Sequence, residues 1–370
     1  MRMCTQIIEG KRMPVSKKQK SIYNAIFDGS ENFAANSIQK IQSIRERDRF
    51  MPTEPVPADY AKRWKEYWGK YGNYSPRWGW FYAARNGIDD VRYIPATLYY
   101  TKLDQHFNNK KLGWGFNDKN YYSEIFKGIK QPRVLVRNIG GLLFDEDYKQ
   151  LTIDEAIRVI CTEPEVICKP SLESGSGRGI QFIRTSDTLA LRQLLESVDS
   201  EYVIQAVIKQ HPALSNIHPG SVNSVRVASL LMEDGVHILS SCLRMGAGES
   251  RVDNHHAGGM SSGVNSDGSI QKYAYYIDGQ RTDVHPSGFV FEGFTVPSYN
   301  KIIELVKNAH PLIGHFRLVG WDIAVDETGD AVLIECNMRK NGIELHEFSN
   351  GPYFGELTDK VLDEVFGKES

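Results

Sequence analysis

The chain has 370 residues, of which 41% are hydrophobic and 24% are charged, an ordinary composition for a globular protein. Its formal net charge of -2 shows no excess of basic residues, which argues against nucleic acid as the main partner. The five cysteines are scattered without a CxxC pair, the N-terminus lacks an apolar leader, and no apolar run reaches about 18 residues, so the sequence predicts a cytoplasmic protein without a membrane span.

The N-terminal third is predicted to be mostly helical. The segment SIQKIQSIRERDRF fits a surface helix, and the proline-rich MPTEPVPADY that follows it fits a linker or a domain edge. Nine aromatic residues then lie between Trp64 and Tyr82. Because aromatic side chains are most often buried, this cluster is predicted to form the core of a helical cap, with a sugar-stacking platform as the alternative.

From about residue 130 the pattern changes to short strands alternating with amphipathic helices. The segment RVLVRNIGGLLFD predicts two strands, and LTIDEAIRVICTE predicts a helix with a capping box formed by Thr152 and Glu155. Further strands are predicted at EVICKP, IQFIRT and EYVIQAVI, with a helix at SDTLALRQLLESV. These elements form a compact α+β unit. Residues 220–340 add more strands, including a hairpin that turns at residues 327–330.

A lysine and a loop rich in glycine and serine end the strand EVICKP. Lys169 can reach a phosphate group as a point charge. The backbone N–H groups of a loop that contains Ser174, Gly175, Ser176 and Gly177 can approach phosphate oxygens closely, because glycine has no Cβ. The lysine precedes the glycines, so this is not a Walker loop. The pattern predicts a phosphate-binding loop, and a plain hairpin turn is the alternative.

Two carboxylates and an amide lie on the C-terminal hairpin GWDIAVDETGDAVLIECN. Glu335 and Asn337 are two residues apart on one strand and share a face, and the hairpin can bring Asp322 beside them. Such oxygen ligands suit Mg²⁺ when phosphate oxygens and water complete its coordination. Exposed strand residues are the alternative, although charges within apolar strands are costly unless they are paired or bound to metal. The buried opposite face is predicted to consist of Ile323, Val325, Val332 and Ile334.

A third motif, Asp118-Lys119, opens a predicted helix just before the α+β unit, and alone it also fits a capped surface helix. Together the motifs resemble the ATP-grasp superfamily, as in D-alanine–D-alanine ligases and biotin carboxylases. That superfamily has a first lysine, a second lysine before a glycine loop, a hinge strand that reads adenine, and an Asp…Glu-x-Asn metal triad. The same order is found over residues 118–365, in Lys119, Lys169, the loop 174–179, the strand 202–208 and Asp322/Glu335/Asn337.

The resemblance implies an α+β ATP-grasp fold, in which two α+β subdomains clamp ATP. The mostly helical, aromatic-rich N-terminal region precedes these subdomains. The implied regions are residues 1–117, a central subdomain at 118–205 and a C-terminal subdomain with the metal site at 206–370. Gln205, Ala206 and Ile208 are implied to line the adenine site, and Gln205 stands where many members have glutamate. The implied cofactors are ATP and two Mg²⁺ ions bridged by Glu335, with Mn²⁺ able to replace Mg²⁺.

A narrower similarity lies between residues 205 and 260. The segments QHPALSNIHPGSVNSVRV, CLRMG and VDNHHAGGMSSGVNSDG are similar to ATP-grasp proteins associated with sugar transfer and surface-polysaccharide genes, and ESRVDNHHAGG is loosely similar to the glutamate-adding branch. This implies a position near the γ-phosphate and the acceptor for Arg226, Arg244, Asn254 and His256. A structural ion-pair role is the alternative for the two arginines.

The superfamily often has an arginine two residues before the metal aspartate, and this chain has Gly320 there. Arg244 or Arg339 is therefore expected to neutralise the transition state. Arg339 and Lys340 follow the metal strand and precede a turn at Asn341-Gly342, which predicts that Arg339 holds the acceptor carboxylate or steadies the acyl phosphate. Arg244 is the competing candidate, and solvated loop charges are the alternative.

The activity implied by these resemblances is that of a carboxylate–amine ligase, which phosphorylates a carboxylate with ATP and lets an amine displace the phosphate. The family association implies an acidic sugar as the acceptor and an amine or amino acid as the second substrate, in surface-polysaccharide biosynthesis. The alternatives are an ATP-grasp kinase and a catalytically silent nucleotide-binding module. The oligomeric state stays open.

Overall fold

A computed structural model describes residues 41, 44–45, 47–172, 179–196, 201–339 and 341–367 of the chain. The described part begins with a set of helices and continues with a six-stranded and then a seven-stranded antiparallel sheet. Among these residues, no helix is long and apolar enough to span a membrane. The structure is therefore of the α+β class, as predicted.

The N-terminal helices pack through aromatic side chains. In α1, Tyr60, Trp64 and Trp68 recur every four residues and form one buried face. The neighbouring helix approaches this face closely at Gly79, where an added Cβ would lie 2.2 Å from the Trp64 ring. The helices are α1 Ala58–Trp68, α2 Arg77–Asn86, α3 Ala96–Leu98, a π-helical turn Tyr99–Leu103, α4 Asp104–Phe107, α5 Gly113–Phe116, a 3₁₀ turn Lys119–Tyr121 and α6 Tyr122–Ile125.

The six-stranded sheet has one face covered by two helices. Its strand order is β3-β2-β1-β6-β4-β5, and every pairing is antiparallel. The helix α7 begins with the predicted capping box, in which Thr152 and Glu155 exchange hydrogen bonds. The elements are β1 Val134–Ile139, β2 Leu142–Phe144, β3 Gln150–Leu151, α7 Ile153–Ile160, β4 Glu165–Pro170, β5 Gln181–Arg184, α8 Thr188–Glu196 and β6 Tyr202–Ala206.

The seven-stranded sheet follows, with the order β11-β10-β9-β8-β7-β12-β13. The predicted hairpin of the last two strands is confirmed. The elements are α9 Pro212–Ser215, β7 Ser224–Met232, β8 Gly235–Met245, a 3₁₀ turn His255–Ala257, β9 Met260–Val264, β10 Ile270–Tyr275, β11 Arg281–Thr282, α10 Tyr299–Ala309, a 3₁₀ turn His310–Ile313, β12 Leu318–Val325, β13 Ala331–Asn337, α11 Glu344–Asn350, a 3₁₀ turn Gly355–Leu357 and α12 Thr358–Phe366.

Both faces of the seven-stranded sheet are covered along part of their length. Val225, Val227 and Trp321 on one face pack with α10 in one hydrophobic core. On the other face, Leu230 and Leu318 join a second core with the N-terminal aromatic residues and the C-terminal helices. The predicted helical cap with an aromatic core is thus confirmed. The predicted boundaries at residues 117 and 205 stay predictions.

A β-bulge corrects one part of the predicted hairpin. The pairing runs from Asp322↔Glu335 directly to Ile323↔Leu333, so Ile334 is an extra residue on β13. Leu333 instead joins the core beneath the sheet, whereas Ile334 faces the cavity described below. Strict alternation from Glu335 was the wrong expectation for Ile334, because a bulge shifts the alternation by one residue.

Candidate active site

A cavity between the two sheets gathers the predicted site residues. Of these, the following twelve are described by the structure, and all of them line the cavity: Lys119, Lys169, Gln205, Ala206, Ile208, Arg226, Arg244, Asn254, Asp322, Glu335, Asn337 and Arg339. The loop residues Ser174, Gly175, Ser176 and Gly177, together with Lys340 and the side chain of His256, lie outside the described part of the chain. Their predicted roles stay predictions, as do those of the twelve.

Strand alternation explains why the six-stranded sheet presents a lysine and a glutamine to the cavity. Cys168 and Ile204 pack under the helices, so their neighbours Lys169 on β4 and Gln205 on β6 face the other way. Lys169 is buried, and its burial, followed by the nearby Lys119 ammonium, lowers its pKa to about 8, while Glu335 opposes the change. A buried lysine of this kind favours an anionic ligand.

Lys119 reaches the cavity from a tight turn. The Asp118 side chain accepts a 2.9 Å hydrogen bond from the backbone N–H of Asn120, and the backbone N–H of Lys119 donates to the Ser171 carbonyl at 3.0 Å. The predicted helix start is therefore a capped 3₁₀ turn tied to the end of β4. The buried Nζ of Lys119 lies 3.0 Å from Oε1 of Glu335, which links the two sheets across the cavity.

Asp322 is surrounded by donors. Oδ1 accepts from Nε of Arg226 and, at 3.1 Å, from Nη1 of Arg244. Oδ2 accepts from Nη2 of Arg226 at 2.8 Å and, at 3.4 Å, from Nδ2 of Asn337. Burial alone would raise the pKa of Asp322, but the two guanidinium groups outweigh burial and lower it to about 2. Both carboxylate oxygens of Asp322 therefore accept a hydrogen bond from at least one guanidinium group.

The register of the large sheet explains this arrangement. Arg226 on β7 pairs directly with Asp322 on β12, so both side chains leave the same face of the sheet. The position two residues before the aspartate is too crowded for an arginine, because a Cβ on Gly320 would lie 2.3 Å from Oδ1 of Asn341. Arg226 on the neighbouring strand places a guanidinium beside Asp322, and the expectation that Arg244 or Arg339 neutralises the transition state stays a prediction.

Asp253 is a site residue that the sequence analysis missed. Nη2 of Arg244 lies 3.1 Å from its Oδ1, and the hydroxyl and backbone N–H of Ser224 donate to its Oδ2. Burial opposes the charge of Arg244, but Asp253 and Asp322 together raise its pKa. The available signal was the position of Asp253 beside the predicted Asn254. Both predicted roles of the arginines, ion pair and phosphate ligand, remain compatible with this geometry.

The far end of the cavity is apolar, with one polar group at its wall. Ile167, Phe182 and Ile334 line it together with Gln205 and the chain that follows β6. Nε2 of Gln205 lies 3.5 Å from the Pro132 carbonyl, and its buried Oε1 has no hydrogen-bond partner among the described residues. A buried acceptor without a partner is costly, so this oxygen is suited to a ligand donor such as an amino group.

The donor set of the cavity fits a magnesium-bound polyphosphate. Among the described residues, no cluster of three or more His, Cys, Asp or Glu side chains could hold a metal ion, so the predicted set of Asp322, Glu335 and the Asn337 amide supplies too few ligands alone. A hard cation needs further oxygens from phosphate and water in such a site. The two lysines and two arginines supply charge for the phosphate groups.

Comparison with known proteins gives a family match. The family model described as sugar-transfer associated ATP-grasp matches residues 99–361. No curated protein matches the sequence significantly.

Several solved structures are similar to this chain. The ATP-grasp ligase PsnB complexed with minimal precursor, Mg and ADP is 12% identical, with 70% of this chain and 62% of that chain covered and a TM-score of 0.43. The VanG D-Ala:D-Ser ligase from Enterococcus faecalis is 14% identical, with coverages of 68% and 61% and a TM-score of 0.42. The biotin carboxylase domain of the Hydrogenobacter thermophilus 2-oxoglutarate carboxylase is 16% identical, with 69% of this chain and 46% of that chain covered and a TM-score of 0.41. This chain thus matches less than two thirds of the length of each.

Proposed function

We propose that this chain, which belongs to the sugar-transfer associated ATP-grasp family, is an ATP- and Mg²⁺-dependent ligase that joins a carboxylate to an amine. The observation that carries the proposal is the convergence of two lysines, two arginines and an Asp/Glu/Asn set on one cavity between two sheets. Phosphoryl transfer depends mainly on positioning and charge neutralisation, which is what these residues offer.

The nucleotide is proposed to lie with its base at the apolar end of the cavity. Oε1 of Gln205, buried without a partner among the described residues, would accept a hydrogen bond from the adenine amino group. Lys119 and Lys169 would bind the phosphate groups, and the loop 174–179 would cover them. Burial disfavours the charged form of Lys169 and lowers its pKa. A polyphosphate bound beside it would favour the charged form again.

Glu335, Asn337 and Asp322 are proposed to hold Mg²⁺. Bound Mg²⁺ supplies positive charge to the phosphate oxygens during transfer. Because Arg226 and Arg244 donate to the oxygens of Asp322, a metal ion bound there would compete with these guanidinium groups for the same carboxylate. Glu335 is more accessible, since its side chain is 26% exposed and its Oε1 pairs with the ammonium of Lys119.

The acceptor is proposed to be a carboxylate, such as that of an acidic sugar, which the name of the family supports but does not specify. A carboxylate oxygen attacks the γ-phosphorus, ADP leaves, and an acyl phosphate forms. The nitrogen of an amine then attacks the acyl carbon, inorganic phosphate leaves, and the amine loses its proton to solvent. Arg226 and Arg244 are proposed to face the transferred group, and Arg339 to hold the acceptor carboxylate.

An ADP-release screen over a panel of acids and amines, with products read by mass spectrometry, tests the proposal. The expected result is ADP release that requires both an acid and an amine, with a product whose mass is their sum less one water. A stable phosphorylated acid formed without an amine would instead indicate a kinase. Absence of ADP release throughout a broad panel would favour a silent nucleotide-binding module.

A further inference from the structure

We propose that the N-terminal segment from Asp104 to Trp114 positions Arg339 as the clamp for the acceptor carboxylate, with Trp114 as its main positioning residue. The assignment rests on the proposed function, and it gives the N-terminal region a part in acceptor binding. Three separate contacts support it, and each fixes a different portion of Arg339: the guanidinium, the aliphatic stem and the backbone.

The first contact fixes the plane of the guanidinium. Cζ of Arg339 lies 3.7 Å from the centroid of the Trp114 ring, which is the distance of a face-on stack. Stacking uses the face of a guanidinium, whereas its N–H groups point outward in its plane. A carboxylate in that plane can accept hydrogen bonds from two of them. Trp114 itself is 52% exposed, although it is a large apolar residue. A half-exposed indole in contact with a cavity arginine is explained if its role is to hold this arginine.

The second contact fixes the aliphatic stem. A Cβ added to Gly113 would lie 2.3 Å from Cγ and 2.4 Å from Cδ of Arg339. The stem therefore crosses α5 at Gly113, where any larger residue would meet it. Glycine is a weak helix former, so its place in this short helix is not explained by helix propensity. Its presence is explained by the close approach of Arg339.

The third contact fixes the backbone. Nζ of Lys110 donates to the carbonyl oxygens of Met338 at 3.1 Å and Arg339 at 2.9 Å, and it pairs with Oδ2 of Asp104 at 2.5 Å. Asp104 is buried and also accepts from Asn108, which in turn hydrogen-bonds both backbone groups of Leu318. The end of β13 is thus tied through α4 to β12, the strand that carries Asp322.

The other two arginines of the cavity are placed for a different role. Arg226 and Arg244 direct their donors at Asp322 and Asp253, deep on the sheet face. Arg339 instead lies beyond the end of β13, where it both lines the cavity and contacts Trp114 of the N-terminal region. In this proposal Arg226 and Arg244 face the transferred phosphoryl group, whereas Arg339 binds the acceptor carboxylate.

The test compares Trp114→Ala with Trp114→Phe, using the acid that gives the highest ADP release in the screen. Trp114→Ala is expected to lower kcat/KM for that acid about tenfold, mainly by raising KM, because Arg339 stays present but is no longer held where the acceptor carboxylate binds. The affinity for ATP, measured by calorimetry, is expected to stay unchanged. Trp114→Phe keeps an aromatic face and should recover most of the loss. Leu112→Ala, on an exposed residue of the same segment, serves as the matched control.

A double-mutant cycle separates positioning from a general structural effect. If Trp114 acts through Arg339, then Trp114→Ala should add no further loss to Arg339→Ala. Gly113→Ala, which leaves the indole in place but displaces the stem, should reproduce the loss seen in Trp114→Ala. Additive losses, a loss of ATP affinity, or wild-type kinetics in Trp114→Ala would each overturn the proposal. These outcomes leave ligation by the wild-type chain intact, whereas a failure of the proposed function appears as absence of acid- and amine-dependent ADP release by the wild type.

Discussion

At the scale of single residues, the buried amine of Lys169 links the electrostatics of the site to pH. Burial, followed by the charge of Lys119, lowers its pKa to about 8, so the free protein holds this amine partly neutral at that pH. A polyphosphate favours the charged form, and binding should therefore raise the pKa and take up a proton. We expect proton uptake on ATP binding at pH 8.5 and an ATP affinity that falls as the pH rises above about 8.

Calorimetry at pH 8.5 in buffers of different ionisation enthalpy measures this uptake directly. Lys169→Arg is the matched control, because an arginine stays charged over this range and should remove the uptake. A binding enthalpy that is independent of the buffer in the wild type would show that Lys169 is already charged in the free protein.

A substitution at Glu335 can distinguish a metal-binding role of this side chain from a purely structural one. Its Oε1 lies 3.0 Å from Nζ of Lys119, and Glu335→Gln keeps the size and the hydrogen-bonding oxygen of the side chain while removing its charge. If Glu335 binds Mg²⁺, ADP release should fall by about 100-fold or more, the order of loss that follows removal of a preorganised charge. The circular dichroism spectrum and the midpoint of thermal unfolding should hardly change.

Glu327→Gln provides the control for that prediction, since Glu327 lies on the turn of the same hairpin with its side chain 57% exposed. It should release ADP at the wild-type rate. Full activity of Glu335→Gln would remove Glu335 from the metal site.

At the scale of elements, alternation along strands was sufficient to predict which side chains share a face. Asp322, Glu335 and Asn337 were expected on one face of a hairpin, and they line one cavity. The partner of Asp322 was not predictable in the same way, because Arg226 lies 96 residues away and only the register of β7 against β12 places it there. The predicted position of Ile334 on the buried face was wrong for a related reason. A bulge depends on the pairing with the neighbouring strand, which the local sequence does not reveal.

The loop that follows β8 joins the two sheets across the cavity. Arg251 donates to both carboxylate oxygens of Glu165 at 2.8 and 2.7 Å, and its Cζ lies 3.7 Å from the centroid of the Phe182 ring. Arg251→Glu would place two negative charges opposite each other at the wall of the nucleotide cavity. We expect it to weaken ATP binding several-fold, a modest effect because the pair is partly exposed to solvent.

The charge-swapped double variant Arg251→Glu/Glu165→Arg should recover most of the ATP affinity, because it restores an ion pair of opposite polarity. Calorimetry of the two single variants and the double variant measures this directly. Equal affinities for all four proteins would show that this contact does not affect the bound state.

At the scale of the whole molecule, ordered motifs identified the ATP-grasp part, whereas the attachment of the N-terminal region was not predictable. The aromatic cluster was expected to be a core, but its partners lie far along the chain. The ring centroids of Phe81 and Phe348 are 5.2 Å apart, and those of Tyr71 and Phe366 are 5.3 Å apart. Such contacts bury apolar area without any directional signal in the sequence, so composition predicts the burial and not the partner.

This shared core leads to a prediction about cooperativity. Trp64 is fully buried, contacts the Trp68 ring in a tilted arrangement and donates from Nε1 to the Tyr74 carbonyl at 2.8 Å. Its core continues through Leu230 and Leu318 of the large sheet. Trp64→Ala should lower the free energy of unfolding by about 3–5 kcal/mol, the usual cost of removing a large core aromatic. Because the cap and the sheet share that core, the loss should appear in one transition for the whole chain rather than in the cap alone.

Urea unfolding followed by circular dichroism and by ADP release tests both parts of that prediction. The two probes should give one midpoint, shifted equally in Trp64→Ala, and Trp64→Phe should shift it less because it leaves a smaller cavity. Leu112→Ala, on the exposed surface of the same N-terminal region, should leave the midpoint close to that of the wild type. If the dichroism of Trp64→Ala instead shows an early transition that leaves ADP release intact, the cap unfolds on its own. The contacts that tie the end of β13 to α4 would then be insufficient to couple the cap to the active site, and the positioning of Arg339 would have to come from the sheet.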